Sequence, residues 1–173
     1  VNIGPVNDKT TEGSLSMANG GKLICEGIIT GRLGTWAAGT GTIELTATST
    51  MPTDKNVIFN NLIISGGTTT LSGNLNVNGS LLINTGGTLN GNVNTLFVGG
   101  DWVNNGIFSG NAGTVTFIKN GSQTISGTGQ NNFNLIRVDM GTTINNVLEV
   151  NATSFNAPDG FLNIVNGTFK ISG

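Results

Sequence analysis

Nine carboxylates are the side chains that could carry acid–base chemistry: Asp8, Glu12, Glu26, Glu44, Asp54, Asp101, Asp139, Glu149 and Asp159. The chain has no histidine, so it can build no Ser–His or Cys–His nucleophile pair and no imidazole metal site. What remains is a pair of carboxylates flanking a glycosidic bond, the arrangement that cleaves polysaccharides. Such a pair would need two acids brought together on neighbouring strands. Glu44 and Asp101 fall at internal-alignment positions held elsewhere by Thr116 and Ile28, so the acids do not recur as a motif. They read as isolated solvated charges, and no catalytic residue is assigned. No acid-rich loop has the ligand spacing of a calcium site, and no metal or cofactor is expected.

Trp36 and Trp102 are the candidates for stacking on a sugar ring. Trp36 aligns internally with Phe108 and Trp102 with Ile29, which favours a core or corner role for both. Gly39-Thr40-Gly41 and Gly127-Thr128-Gly129 are not followed by helical patterns, so they read as corners rather than phosphate cradles. The single Cys25 sits at a position held by Val98 and Ile171 in the other copies, and reads as a small buried hydrophobe. Sequons at Asn78, Asn120, Asn151 and Asn166 are what an Asn/Thr-rich chain produces by composition.

These residues sit on an internal repeat. Gly27, Gly100 and Gly173 lie 73 residues apart, each preceded by a short apolar pattern: Leu23-Ile24-Cys25, Leu96-Phe97-Val98 and Phe169-Lys170-Ile171. Asn61-Leu62-Ile63-Ile64 matches Asn134-Leu135-Ile136-Arg137, and Leu75-Asn76-Val77-Asn78 matches Leu148-Glu149-Val150-Asn151, at the same offset of 73. Gly41–Leu45 matches Gly113–Phe117 at 72. A period of this length with no helical pattern inside it is the mark of a repeat architecture. The division read from it is one continuous segment, 1–173, cut from a longer array: a partial repeat 1–27, then repeats 28–100 and 101–173. Val1–Thr10 shows neither the basic start nor the apolar run of a signal peptide.

Charged residues make up 9% of the chain and the net charge is −2, which argues against nucleic acid, whose phosphates require a basic stripe. No apolar stretch reaches the ~20 residues of a membrane span. With 28 glycines, abundant Asn, Thr and Ser, and 36% hydrophobic residues, the chain is neither a disordered tract nor an ordinary charged globule.

Period-2 alternation dominates. Ile43, Leu45 and Ala47 alternate with Thr42, Glu44, Thr46 and Thr48; Leu71, Leu75, Val77 and Leu81 oppose Asn74, Asn76 and Asn78 across Thr70–Leu82. Further strands are expected at Leu96–Trp102, Thr114–Ile118, Gln123–Ile125, Phe133–Val138, Thr142–Ile144, Val147–Val150 and Phe161–Val165, with essentially no helix. The anchors Leu62, Leu75, Leu96, Val115 and Leu135 are separated by 13, 21, 19 and 20 residues, near the size of one β-helix rung. The expected fold is therefore all-β: a right-handed parallel β-helix, or β-solenoid, of ~73-residue repeats with about four rungs each and roughly nine rungs in all. Tandem Ig-like β-sandwiches are the alternative, since the period is near a small sandwich.

Gly113-Thr-Val-Thr-Phe117, Gln123-Thr-Ile-Ser-Gly127 and Phe133-Asn-Leu135, with Phe59-Asn-Asn-Leu-Ile-Ile64 running into Leu75-Asn-Val-Asn-Gly-Ser-Leu81, resemble the repeats of very large adhesin-like surface proteins of Bacteroidetes-type bacteria. The resemblance covers nearly all of Gly27–Gly173. It implies export by the type IX system, in some members a link to gliding motility, an extracellular place at the cell surface, and a role as stalk or adhesin. On this reading the chain is a non-enzymatic structural and adhesive rod. Its partners are other segments of the same long chain and, by hypothesis, surface glycans or neighbouring cells, with no nucleic acid and no membrane insertion. The alternatives are a β-helix polysaccharide lyase or glycoside hydrolase, and an ice-binding solenoid suggested by Thr46-Thr48-Thr50 and Thr68-Thr69-Thr70.

Overall fold

The computed structural model describes residues 13–26, 33–51 and 57–172, and among them every element is a β-strand. The strands are short, two to five residues each, because a corner residue interrupts the alternation before a longer run can form. All pairings between them are parallel and none joins chain neighbours. That is the signature of a chain coiling on itself, and it removes the sandwich alternative, whose sheets are antiparallel.

The coil has three faces. The first is eight-stranded: Lys22–Cys25, Thr42–Leu45, Asn61–Ile64, Leu81–Ile83, Trp102–Asn104, Gln123–Ser126, Val147–Val150 and Thr168–Ile171. The second is five-stranded, from Ser49–Thr50 through Gly67–Thr70, Gly87–Asn90 and Ile107–Ser109 to Gln130–Asn132. The third is six-stranded: Ile58–Phe59, Leu75–Val77, Thr95–Val98, Thr114–Phe117, Leu135–Asp139 and Leu162–Asn166. Gly13–Ser16 and Leu33–Ala37 form a separate parallel pair near the start. From Thr42–Leu45 to Val147–Val150 the chain visits the faces in order, and the last turn keeps only an isolated bridge, Asn132–Asn156, on the second. Eight strands on one face mark seven β-solenoid turns among the described residues, fewer than the nine expected.

Coil length is read from one inner column. Leu23, Ile43, Leu62, Leu81, Trp102, Ile125, Val150 and Ile171 are successive register partners, so a turn takes from 19 residues (Ile43 to Leu62) to 25 (Ile125 to Val150). On the six-stranded face the matching column is Leu75, Leu96, Val115 and Ile136. The step of 13 from Leu62 to Leu75 is thus a crossing between faces, not a rung. Leu135 is one residue out of register with this column, and a shift of one reverses which side of a strand a residue faces. Counting that crossing as a rung inflates the number of turns.

The 73-residue offset has the same origin. It carries Asn61–Ile64 on the eight-stranded face onto Leu135–Asp139 on the six-stranded face, and Leu75–Val77 on the six-stranded face onto Val147–Val150 on the eight-stranded one. An offset of 73 is three turns plus the step from one face to the other. The two faces make the same demand, a short strand with two apolar residues pointing in, so their sequences resemble each other without being structural equivalents. Gly27 and Gly173 lie outside the described residues.

Inside the coil runs one continuous core. Leu62, Ile64, Leu81, Ile83, Leu89, Val98 and Phe117 are wholly buried, and Cys25 joins the column of Leu45, Ile64 and Ile83. No turn could bury these side chains alone. At the corners, where ladder bonds stop, asparagine amides bridge adjacent turns: Asn94 Nδ2 donates to Leu71 O (2.9 Å), Asn134 Nδ2 to Gly113 O (3.2 Å), and Asn74 Oδ1 accepts from Thr95 N (2.8 Å). Asn92 and Asn111 also take left-handed backbone at φ 53° and 47°, which asparagine tolerates better than other side chains. The expected strand at Thr142–Ile144 is instead a loop with Ile144 exposed, tied down by Asn146, whose amide donates to Met140 O and to Asn120 Oδ1. The expected run Thr70–Leu82 instead reaches across three strands, the end of Gly67–Thr70, Leu75–Val77 and the start of Leu81–Ile83, one on each face, since a single strand would overrun the width of a face.

Replacing Leu62 by alanine removes a wholly buried side chain from the middle of the stack. The unfolding free energy should fall by about 2–5 kcal/mol. Val93→Ala, at a corner with 70% exposure, should stay within about 0.5 kcal/mol. Urea denaturation of both variants checks the contrast, and equal effects would contradict the inner-column assignment.

Candidate functional site

The two tryptophans occupy different places. Trp102 is wholly buried, its ring 4.7 Å centroid-to-centroid from Phe108 and 5.4 Å from Phe133, both within an aromatic column that continues to Phe155. Its indole Nε1 donates to Asn131 Oδ1 at 2.9 Å. The same oxygen accepts from Asn104 Nδ2 at 3.1 Å, and Asn131 Nδ2 donates to Ser154 O at 2.9 Å. Asn104 and Asn131 are themselves wholly buried, so the network is an internal polar clasp across neighbouring turns. Trp102 has no face to offer a ligand. Trp36 is half-buried against the core, edge-on to Phe59 at 5.5 Å, with Nε1 donating to Ile58 O at 2.7 Å. Part of its ring reaches the surface, but it is anchored on both sides.

Asp8, Glu12 and Asp54 lie outside the described residues. Glu44, Asp101 and Glu149 point outward from or beside the eight-stranded face. Glu44 meets Lys22 Nζ at 2.5 Å and accepts from Ser65 Oγ, and these two bonds hold its carboxyl below the usual range. Glu149 is paired with Lys170 Nζ at 2.9 Å, which lowers it likewise. Asp139 accepts from Asn166 Nδ2 at 3.0 Å and pairs with Arg137 Nη2 at 3.0 Å; the Asn166 bond is the larger cause of its lowered pKa. Glu26 and Asp159 are exposed.

Asp101 and Glu149 lie two turns apart on the outer side of the eight-stranded face. Asp101 Oδ1 accepts from Thr124 N at 3.0 Å, and Thr124 is the register partner of Glu149. Two strand spacings put them about 9–10 Å apart, the wide end of the range for an inverting acid and base. A general acid requires a raised pKa, whereas Glu149 is held down by Lys170. Among the described residues no three His, Cys, Asp or Glu side chains gather to hold a metal. Cys25 is buried and unpaired, with burial pushing its thiol up, consistent with a packing role.

The threonine pairs are brought into register on two turns only: Thr50 lies opposite Thr70, and Thr68 N donates to Thr48 Oγ1 at 3.3 Å. The next strands of that face carry Thr88 with Asn90, Ile107 with Ser109, and Gln130 with Asn132. The grid is uncharged but not a threonine array.

One outward residue escaped the sequence reading. Phe97 lies between Leu96 and Val98, which are buried, and therefore faces out. The signal was present in the repeat itself. The middle position of the three aligned segments holds Ile24, Phe97 and Lys170, and a site that admits lysine is not a core site.

Two measurements test this geometry. Asn131→Ala leaves the Trp102 N–H and the Ser154 carbonyl without their partner, and should cost roughly 1–3 kcal/mol of stability. Glu44 and Asp139 have folded pKa values below their ordinary 4.5 and 3.8, so the unfolded chain takes up protons first. Their stabilisation is complete above about pH 4.5 and is lost as pH falls through the folded values. Glu44→Gln should flatten that acid limb of a stability–pH curve; an unchanged limb contradicts the Lys22–Glu44–Ser65 assignment.

Comparison with known protein families, with curated proteins and with solved structures finds no match to this chain.

Proposed function

We propose that this chain is a stiff, non-enzymatic structural and adhesive segment of a large secreted bacterial surface protein, holding and presenting glycan- or cell-binding regions. The observation that carries the reading is the unbroken parallel ladder of eight strands on one face, backed by a single core through all turns. A coil joined to its neighbours by main-chain hydrogen bonds on three faces resists bending, and its length grows in proportion to the number of turns. The mechanism is geometric: the rod sets a distance and an orientation. Its partners are the other segments of the same chain and surface glycans.

Two further features support it. The outward positions of the five-stranded face are mostly Thr, Asn and Ser, and the charges on the other two faces are largely neutralised by neighbours one turn away or on the same strand, as in Lys22–Glu44, Lys170–Glu149 and Arg137–Asp139. Such a surface suits contact with hydroxyl-rich polymers and offers little to an ionic partner. The resemblance of Gly113–Phe117 and Phe59–Ile64 to adhesin-like repeats supports an extracellular place at the cell surface.

The test is incubation of the purified chain with bacterial, algal and plant polysaccharides, scoring retention on the polymer and release of reducing or unsaturated ends together. Retention without new ends is expected. New ends would overturn the reading and replace it with a polysaccharide lyase or hydrolase, with Asp101 and Glu149 as the first residues to substitute.

A further inference from the structure

Ten aromatic side chains, eight Phe and two Trp, are present, and nine of them engage another ring. Phe97 is the tenth. Strand alternation turns it outward from the six-stranded face, half-buried and apart from the core cluster. Its register partners are Asn76 on one side and Thr116 on the other, and Arg137 follows Thr116 in the same outer column.

The position two residues on is Gly99. A Cβ there would lie 2.3 Å from Asn78 O, so the site must remain bare. The Gly99 backbone therefore packs directly against the Asn78 turn, and its neighbour in the same column on the next turn is Ile118, 38% exposed. Gly99 N donates to Val77 O and Ile118 N to Val98 O, which continues the ladder past the Phe97 ring. The charged groups around it are already engaged. Arg137 meets Asp139 at 3.0 Å, Asp139 accepts from Asn166, and Lys119 faces Asp101 at 4.0 Å.

We propose that this strip of the six-stranded face, centred on Phe97, is a saccharide-binding site that takes a neutral polysaccharide chain. The proposal deepens the adhesive reading and rests on it. A sugar ring has a C–H face and a rim of hydroxyls, and it needs an aromatic plane flanked by amides and hydroxyls. Phe97 supplies the plane, and Asn76, Asn78 and the free donors of Arg137 supply the rim. An anionic polymer would require unpaired cations, which the strip lacks. A protein partner would require a larger apolar area than Phe97 and Ile118 provide. Thr116 is itself buried, so the accessible members of the outer column are Asn76, Phe97 and Arg137. The column spans about 14–15 Å, three strand spacings, so a polymer rather than a single sugar fits its length.

Affinity gel electrophoresis in arabinoxylan, galactomannan, mixed-linkage β-glucan and, as the anionic arm, polygalacturonate tests the site. Wild type, Phe97→Ala, Phe97→Trp and Leu82→Ala, which alters an outward residue of the eight-stranded face, are run side by side, with melting temperatures to verify folding. Expected is retardation of wild type by at least one neutral polymer, an affinity loss of about tenfold or more in Phe97→Ala, and retention in Phe97→Trp and Leu82→Ala. If Phe97→Ala unfolds, Phe97→Leu, which keeps apolar bulk without the ring, takes its place with the same expected loss. Wild type and the folded Phe97 variant retarded alike would overturn the site and leave the adhesive reading standing. Retardation by polygalacturonate alone would overturn the neutral ligand. No retardation of wild type by any polymer would overturn the adhesive reading, and the site with it.

Discussion

Every turn of this chain depends on main-chain hydrogen bonds that it cannot make by itself. The strands are two to five residues long and pair only with strands one turn before and after, so each backbone amide in them is satisfied by a residue some 20 positions away in sequence. Buried backbone groups left unpaired are costly. Stacking is therefore a condition of the fold and not merely an addition to it, and the apolar columns follow from it: once turns are in register, inward residues of successive turns lie against one another.

The composition is a consequence of the same constraint. Where the ladder stops, backbone donors and acceptors still need partners, and a short amide reaching one turn along the stack provides both. Asn94 on Leu71 O, Asn134 on Gly113 O and Asn61 Oδ1 beneath Ser80 N are instances of one device. Glycines fill places where turns approach too closely for a Cβ, as at Gly106, where it would sit 2.3 Å from Gly87 O. Asn, Gly and Thr thus replace the Lys and Glu of an ordinary surface because the corners are crowded by neighbours above and below. Outward positions on the flat faces are under no such demand. That freedom is where Phe97, Glu44 and Lys170 occur, and there a binding surface can be built without disturbing the stack.

The class of fold was legible in the sequence because alternation, short runs and corner residues are local properties. Ile43 and Leu45 against Thr42 and Glu44 declare a strand with one buried side. The number of turns was not, because two faces ask for the same pattern: Asn61–Ile64 and Leu135–Asp139 look like copies yet lie on different sheets. The candidate residues divide in the same way. Cys25 was readable as a packing residue from its alignment with Val98. Trp102 could not be separated from a surface platform until its ring was found among Phe108, Phe117 and Phe133, with its N–H on Asn131.

By itself the sequence determined that the chain is made of parallel-coil strands with a low-charge, amide-rich surface, since period-2 patterning and composition need no partner to be read. Only the tertiary structure decided which turns are neighbours, which carboxylates are tied to Lys22, Lys170 or Arg137, and which single aromatic ring faces outward. The physical reason is that inside and outside on a strand are set by register, and register in a solenoid is set by residues a full turn away.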